Sequence, residues 1–70
     1  MNTYIVPMST VDDIWIEKIT AKSLSEAKDK VIDNYVNLWD ITVPGDWSEF
    51  VKTLEDIDVL VGDIIDIDVL

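Results

Sequence analysis

The chain has 70 residues, with fifteen aspartates and glutamates, five lysines, no arginine, no histidine and no cysteine, for a net charge of −10. That length holds one domain. The missing cysteines and histidines exclude disulfide staples and ordinary zinc sites, and the charge opposes direct contact with nucleic acid or anionic lipid.

Thr3–Met8 (TYIVPM) alternates and is rich in β-formers, which predicts a strand. Pro7 has no N–H to donate, so it belongs on an edge or at the strand's end. Ser9–Asp13 is polar and turn-like, and Ile14–Ala21 (IWIEKITA) predicts a second strand, the two forming an antiparallel hairpin. Ser23-Leu24-Ser25-Glu26 is a capping box: Ser23 can accept from the N–H three residues on, and Glu26 can reach back to the N–H of Ser23. Behind it Leu24, Ala27, Val31, Tyr35 and Leu38 recur on one face of an amphipathic helix over Leu24–Leu38.

Trp39–Asp46 holds a short β-like run and then the turn pair Pro44-Gly45. Asp46 reads as an N-cap with Glu49 three residues on. Trp47, Phe50, Val51, Leu54 and Ile57 follow at helical spacing, so a second helix starts near Trp47. We expect it to run to about Ile57–Leu60 and a strand to follow at Ile64–Val69. Two other endings stay open: a helix through Val61 with Gly62 at C′, and a hairpin turning at Val61-Gly62-Asp63-Ile64. The element order predicts a single α+β domain over residues 1–70. It would be a small antiparallel sheet, the N-terminal hairpin plus a C-terminal strand, with two helices packed on one face.

MNTYIVPMSTVDD has no basic n-region and does not read as a signal peptide. No stretch approaches the ~18 uninterrupted apolar residues of a membrane span. We therefore expect a cytoplasmic protein. Enzyme readings fail on inventory: nucleophilic triads lack their base and phosphoryl transfer lacks its clamp. A carboxylate pair could serve glycoside hydrolysis, but so small a domain offers little cleft for a sugar. The chain reads as a non-enzyme without a cofactor.

Charge is unevenly placed. Residues 1–35 hold six acids and four lysines, whereas residues 36–70 hold nine acids and one lysine. The last seventeen residues, LEDIDVLVGDIIDIDVL, hold six carboxylates and no positive charge: Glu55, Asp56, Asp58, Asp63, Asp66 and Asp68. On a strand over Ile64–Val69, Asp66 and Asp68 would share a face ~6.7 Å apart, close to the axial climb of two successive DNA phosphates. With the other four they would make a row of charges at phosphate-like pitch. The plainer reading is a solvated face that keeps an apolar chain soluble and blunts an edge strand. Self-repulsion on this scale is easier to explain if a cationic partner is waiting. Asp63, Asp66 and Asp68 could also serve as hard oxygen ligands for calcium, though the EF-hand order is missing.

Of the three tryptophans, Trp15 lies between Ile14 and Ile16, so that strand carries apolar groups beyond a single core. Trp15 beside Asp12 and Asp13 reads as an aromatic anchor in a protein-binding surface. The surplus of apolar residues could equally mark a homodimer interface through the hairpin edge or outer face.

The hairpin, then AKSLSEAKDKVIDNY, then the acidic IIDIDVL resembles many small proteins encoded by bacteriophages and mobile elements. Among these it is most similar to acidic anti-defence inhibitors of the anti-CRISPR kind. The likeness lies in size, charge and element order and carries over no functional residue. It implies a viral inhibitor that binds a host nuclease or its complex and blocks nucleic-acid entry; the phosphate-like pitch expected of the acids adds the DNA-mimic type. We accordingly expect a protein–protein binder that occupies the basic groove of a host nucleic-acid-binding protein. The alternative is a small accessory homodimer whose acids only solubilise it.

Overall fold

A computed structural model describes residues 1–69. Strand β1 (Asn2–Ser9) and strand β2 (Ile14–Ala21) form the expected antiparallel hairpin, Asn2 pairing with Ala21 and Ser9 with Ile14. Alternation splits their side chains. Tyr4, Val6 and Met8 of β1 are buried beneath the helices, as is Ala21 of β2, with Trp15 and Ile19 packed beside them. Ile14, Ile16, Lys18 and Thr20 lie on the opposite, open face.

β1 is the central strand, with β2 on one side and two short strands, β3 (Leu60–Val61) and β4 (Ile65–Asp66), on the other. These two are the ends of one antiparallel return. Val61 pairs with Met8 and Leu60 with Ser9, while Asp66 pairs with Tyr4 and Ile65 with Ile5. Between the two ladders β1 has Val6 and Pro7, and the return has Gly62, Asp63 and Ile64. The extra residue makes a β-bulge.

Pro7 accounts for the break, and its place corrects the expectation of an edge or strand end. The N–H of Gly62 donates to the carbonyl of Pro7 at 2.8 Å. Both backbone groups of a strand residue point the same way, so Pro7 faces the return strand and has no N–H to complete the pair. Towards β2 it stands opposite Ile16 at a position that exchanges no hydrogen bonds, so that ladder is intact. Gly62 is required beside it, because a Cβ there would lie 2.6 Å from Cγ of Pro7. We expect Gly62→Ala to cost about 1–3 kcal/mol through overpacking, read by urea denaturation. In a Pro7→Ala background the cost should shrink; an equal cost in both would mean the ring is not what the methyl group meets.

Helix α1 (Leu24–Trp39) starts where its cap predicts, with the Glu26 N–H donating to Oγ of Ser23 at 3.2 Å. The Glu26 carboxylate reaches one residue further back than expected and accepts from the N–H of Lys22 at 3.0 Å. That bond, helped by Lys30, holds the Glu26 carboxyl below the usual range. Ala27, Val31, Ile32 and Tyr35 form the buried stripe, whereas Leu24 and Leu38, both expected on it, are exposed. The run after Trp39 is not a strand: it bridges two helices on the same face, pairs with no strand, and Ile41 packs against the core instead.

Helix α2 (Trp47–Asp56) is capped by Asp46, whose Oδ1 accepts from the N–H of Glu49 at 2.9 Å. It ends sooner than expected, and neither Gly62 nor Val61 takes part. The Asp58 N–H donates to the Glu55 carbonyl and the Val59 N–H to the Leu54 carbonyl, at 3.0 and 2.9 Å. This is a Schellman motif with Asp58 in the left-handed position, φ 64°. Val59 and Leu54 are both buried in the core, which supplies the motif's apolar contact. Val6, Met8, Val31, Ile32, Tyr35 and Phe50 complete that core. Among the described residues no helix is long and apolar enough to cross a membrane.

Candidate partner-binding surface

At the hairpin tip, the Thr10 N–H donates to the Asp13 carbonyl at 2.8 Å. The Thr10 hydroxyl accepts from the N–H groups of Asp12 and Asp13 at 3.3 and 3.1 Å. Threonine thus closes the turn through side chain and backbone together, and the two carboxylates project into solvent. The tip lies against the exit of α2. One shallow hollow of about 270 Å³ is bounded by Thr10, Val11, Glu55, Asp58 and Leu60. A second, of about 240 Å³, shares Thr10 and Val11 and is bounded by Asp12, Asp13 and Ile14.

Two segments more than forty residues apart therefore meet as an acidic rim around apolar groups. Val11 is 92% exposed, Ile14 84% and Leu60 61%. Asp56 and Ile57 flank the rim and are also exposed. The last turn of α2 holds no basic residue, so the partial negative charge of the helix end adds to that of Glu55, Asp56 and Asp58. The salt bridge found among the described residues, Lys30 to Glu26 at 3.5 Å, lies on α1.

The six C-terminal carboxylates do not form one row. Residues 67–69 wind into a 3-10 turn, so the expected strand Ile64–Val69 is only Ile65–Asp66. Asp66 accepts from Nδ2 of Asn2 at 2.7 Å and from the Asp68 N–H at 3.0 Å. Asp68 accepts from the Thr3 N–H at 2.7 Å. These two carboxylates thus tie the chain end to the start of β1. That is the opposite end of β1 from the hairpin tip, about 23 Å away at 3.3 Å per residue. Asp63 is exposed in the bulge. Among the described residues no three acidic side chains converge as a cation cage, so Asp63, Asp66 and Asp68 are not assembled as calcium ligands.

Trp15 is not an outward anchor. It faces the helices, its Nε1–H donates to Oη of Tyr35 at 3.0 Å, and its ring meets Trp39 edge-on at 6.4 Å. Tyr35 in turn donates to the Glu17 carboxylate. Burial, then that bond, push the Tyr35 hydroxyl up to about 12. The exposed apolar residues here are Val11, Ile14 and Leu60, which sequence reasoning did not place at the site. The alternation of IWIEKITA admits either face outward, so the sequence held a signal for Ile14 without settling it.

A larger cleft of about 630 Å³ lies between α1 and the entry to α2, beside Asp29, Asp33 and Trp47. Its aromatic wall is taken: Nζ of Lys28 sits 5.9 Å from the centre of the Trp47 ring. Asp46, on the same wall, is engaged as the helix cap.

No protein-family model, curated protein or solved structure matches the chain.

Proposed function

We propose that the chain is a stoichiometric protein-binding inhibitor whose acidic end occupies the basic, nucleic-acid-binding surface of a partner. A host defence nuclease complex presents such a surface. Asp12, Asp13, Glu55, Asp56 and Asp58 would pair with the arginines and lysines that otherwise hold phosphate. Val11, Ile14 and Leu60 would supply the desolvated centre.

The observation that carries this reading is the convergence of Asp12 and Asp13 of the hairpin tip with Glu55 and Asp58 of the α2 exit around exposed Val11, Ile14 and Leu60. Asp58 takes a left-handed position where glycine is the usual occupant and which aspartate tolerates better than most residues, as Asp40 does at the end of α1. Its charge opposes the helix dipole, where lysine or arginine would be favoured.

The reading is tested by capture from host lysate with tagged protein, at low and moderate salt, and by competition with DNA. A nucleic-acid-binding protein should be enriched and then released by salt or DNA. Asp58→Gly should keep or raise the melting temperature and weaken capture. The triple reversal Glu55→Lys, Asp56→Lys, Asp58→Lys should weaken it at least tenfold, since close charge pairs contribute about 1.5 kcal/mol or more. Full retention by the folded triple variant would discard the acidic end as the binding surface. The competing reading, a small accessory homodimer with solubilising acids, would then stand.

A further inference from the structure

β2 is an outer strand of the sheet for all eight of its residues. Because Pro7 faces the return strand, Ile16 opposite it faces out of the sheet, and so do Ile14, Lys18 and Thr20. The Thr20 carbonyl confirms the direction, since it accepts from Nζ of Lys30 on α1 at 2.8 Å. The edge is otherwise open. It has no proline and no bulge, and Ile14 and Ile16 lie along it in solvent. An unprotected apolar edge is a template for another strand.

The charge sequence of this edge indicates which strand. It begins with Asp12 and Asp13 and continues through Lys18 to Lys22, with Lys30 over Thr20. A basic peptide would meet the lysines and an acidic one the aspartates. A strand of the same order, run antiparallel, matches both ends at once. Other acids lie near it: Glu17 on the covered face of β2, and Glu26, Asp29 and Asp33 on α1, which packs against β2. Glu55 and Asp58 lie at the exit of α2 beside the hairpin tip, and Asp66 lies on the return strand, which pairs with β1 on the side away from β2. That places the return strand two strand spacings from β2, about 10 Å, comparable to the screening length at physiological salt.

We propose that two copies of this chain pair through β2, antiparallel about a two-fold axis at Ile16, into one continuous sheet. In this register Ile16 meets Ile16 of the second copy and Ile14 meets Lys18. The ladder ends at Ile14 and Lys18; Asp12 and Asp13, in the turn just beyond it, then lie towards the Lys18–Lys22 end of the second copy, within reach of its long lysine side chains. An axis one residue further on would set the two Glu17 side chains against each other. The dimer is isologous, as two-fold contacts are. It does not depend on the acidic end binding a partner; it takes up Asp12, Asp13 and Ile14 of the hairpin tip and leaves Glu55, Asp56, Asp58, Val11 and Leu60 open.

Sedimentation of the intact chain tests the pairing, with two variants that touch only exposed side chains and are checked for fold by circular dichroism. Wild type should sediment as a dimer whose population grows with concentration. Asp12→Lys with Asp13→Lys, and separately Lys18→Glu with Lys22→Glu, should each weaken self-association at least tenfold. An equimolar mixture of the two should recover it as a heterodimer. Hydrogen exchange should show the N–H groups of Ile14, Ile16 and Lys18 slowing as the dimer forms. Wild type that stays monomeric at millimolar concentration would overturn the proposal. So would a dimer indifferent to both reversals, or one that leaves those three amides unprotected.

Discussion

Phe50→Ala is expected to remove a large share of the protein's stability. Phe50 is 0% exposed and packs tilted against two aromatic neighbours, with ring centres 5.1 Å from Trp47 and 6.2 Å from Tyr35. It joins α2 to α1 and, with Leu54, seats α2 in the core beside Val6 and Met8. Removing a buried ring costs about 3–5 kcal/mol, part in lost transfer energy and part in the cavity left behind. A 70-residue domain at ordinary per-residue stability has only about 4–10 kcal/mol to lose. No disulfide is present to restrain the unfolded chain. The melting temperature should fall by at least about 12 °C, at 4 °C or more per kcal/mol for a domain of this size. A fall of only a few degrees would show that α2 collapses into the gap, and that this core is looser than its burial implies.

The second large effect is expected at Tyr35, where one hydroxyl serves two partners. It accepts from the Trp15 indole and donates to Glu17, both on the covered face of β2. Tyr35→Phe leaves a half-buried carboxylate and an indole N–H without this partner. The cost should be about 1–3 kcal/mol, the range for stranding a buried polar group. Glu17→Gln keeps an acceptor for the hydroxyl and should cost less. The same hydroxyl predicts a pH response. Its folded value is raised to about 12 from 10, so above pH 10 the unfolded chain loses its proton first. Stability is therefore fully present below pH 10 and falls as pH rises towards 12. Tyr4 is raised in the same direction, by burial first and then by Asp66 and Asp68, so it contributes to the same fall. Thermal melts of wild type and Tyr35→Phe between pH 9 and 12 decide the point. The variant should start lower and decline less steeply, and identical slopes would show that Tyr35 has no part in the alkaline transition.

Much of the secondary structure was legible because it is decided within a few residues. Ser23 and Asp46 start their helices through bonds to N–H groups three positions on. The hairpin follows from β-formers on either side of a polar turn. The limit shows at α2: the helical spacing leaves its end open, between about Ile57–Leu60 and alternatives that include a glycine C′ at Gly62, whereas Asp58 fills the C′ role because Val59 can bury against Leu54. The candidate site was legible only in part. All of its carboxylates were named from sequence, yet as a single row that included Asp66 and Asp68, and with Trp15 as the anchor.

By itself, then, the sequence determined the α+β class, the hairpin, the start of both helices and the surplus of negative charge. These rest on local hydrogen bonding, side-chain periodicity and composition. Only the tertiary structure decided that β1 is central, that Pro7 splits the return strand, and that Trp15 turns inward while Ile14 stays in solvent. It also decided that the acids divide between two ends of the sheet. The physical reason is range. A strand's period shows which residues share a face, but a neighbour in another element, as Tyr35 of α1 is to Trp15, determines which face is covered. The pairing of residues 60–66 with residues 4–9 brings Glu55 and Asp58 to the hairpin tip and carries Asp66 and Asp68 away from it.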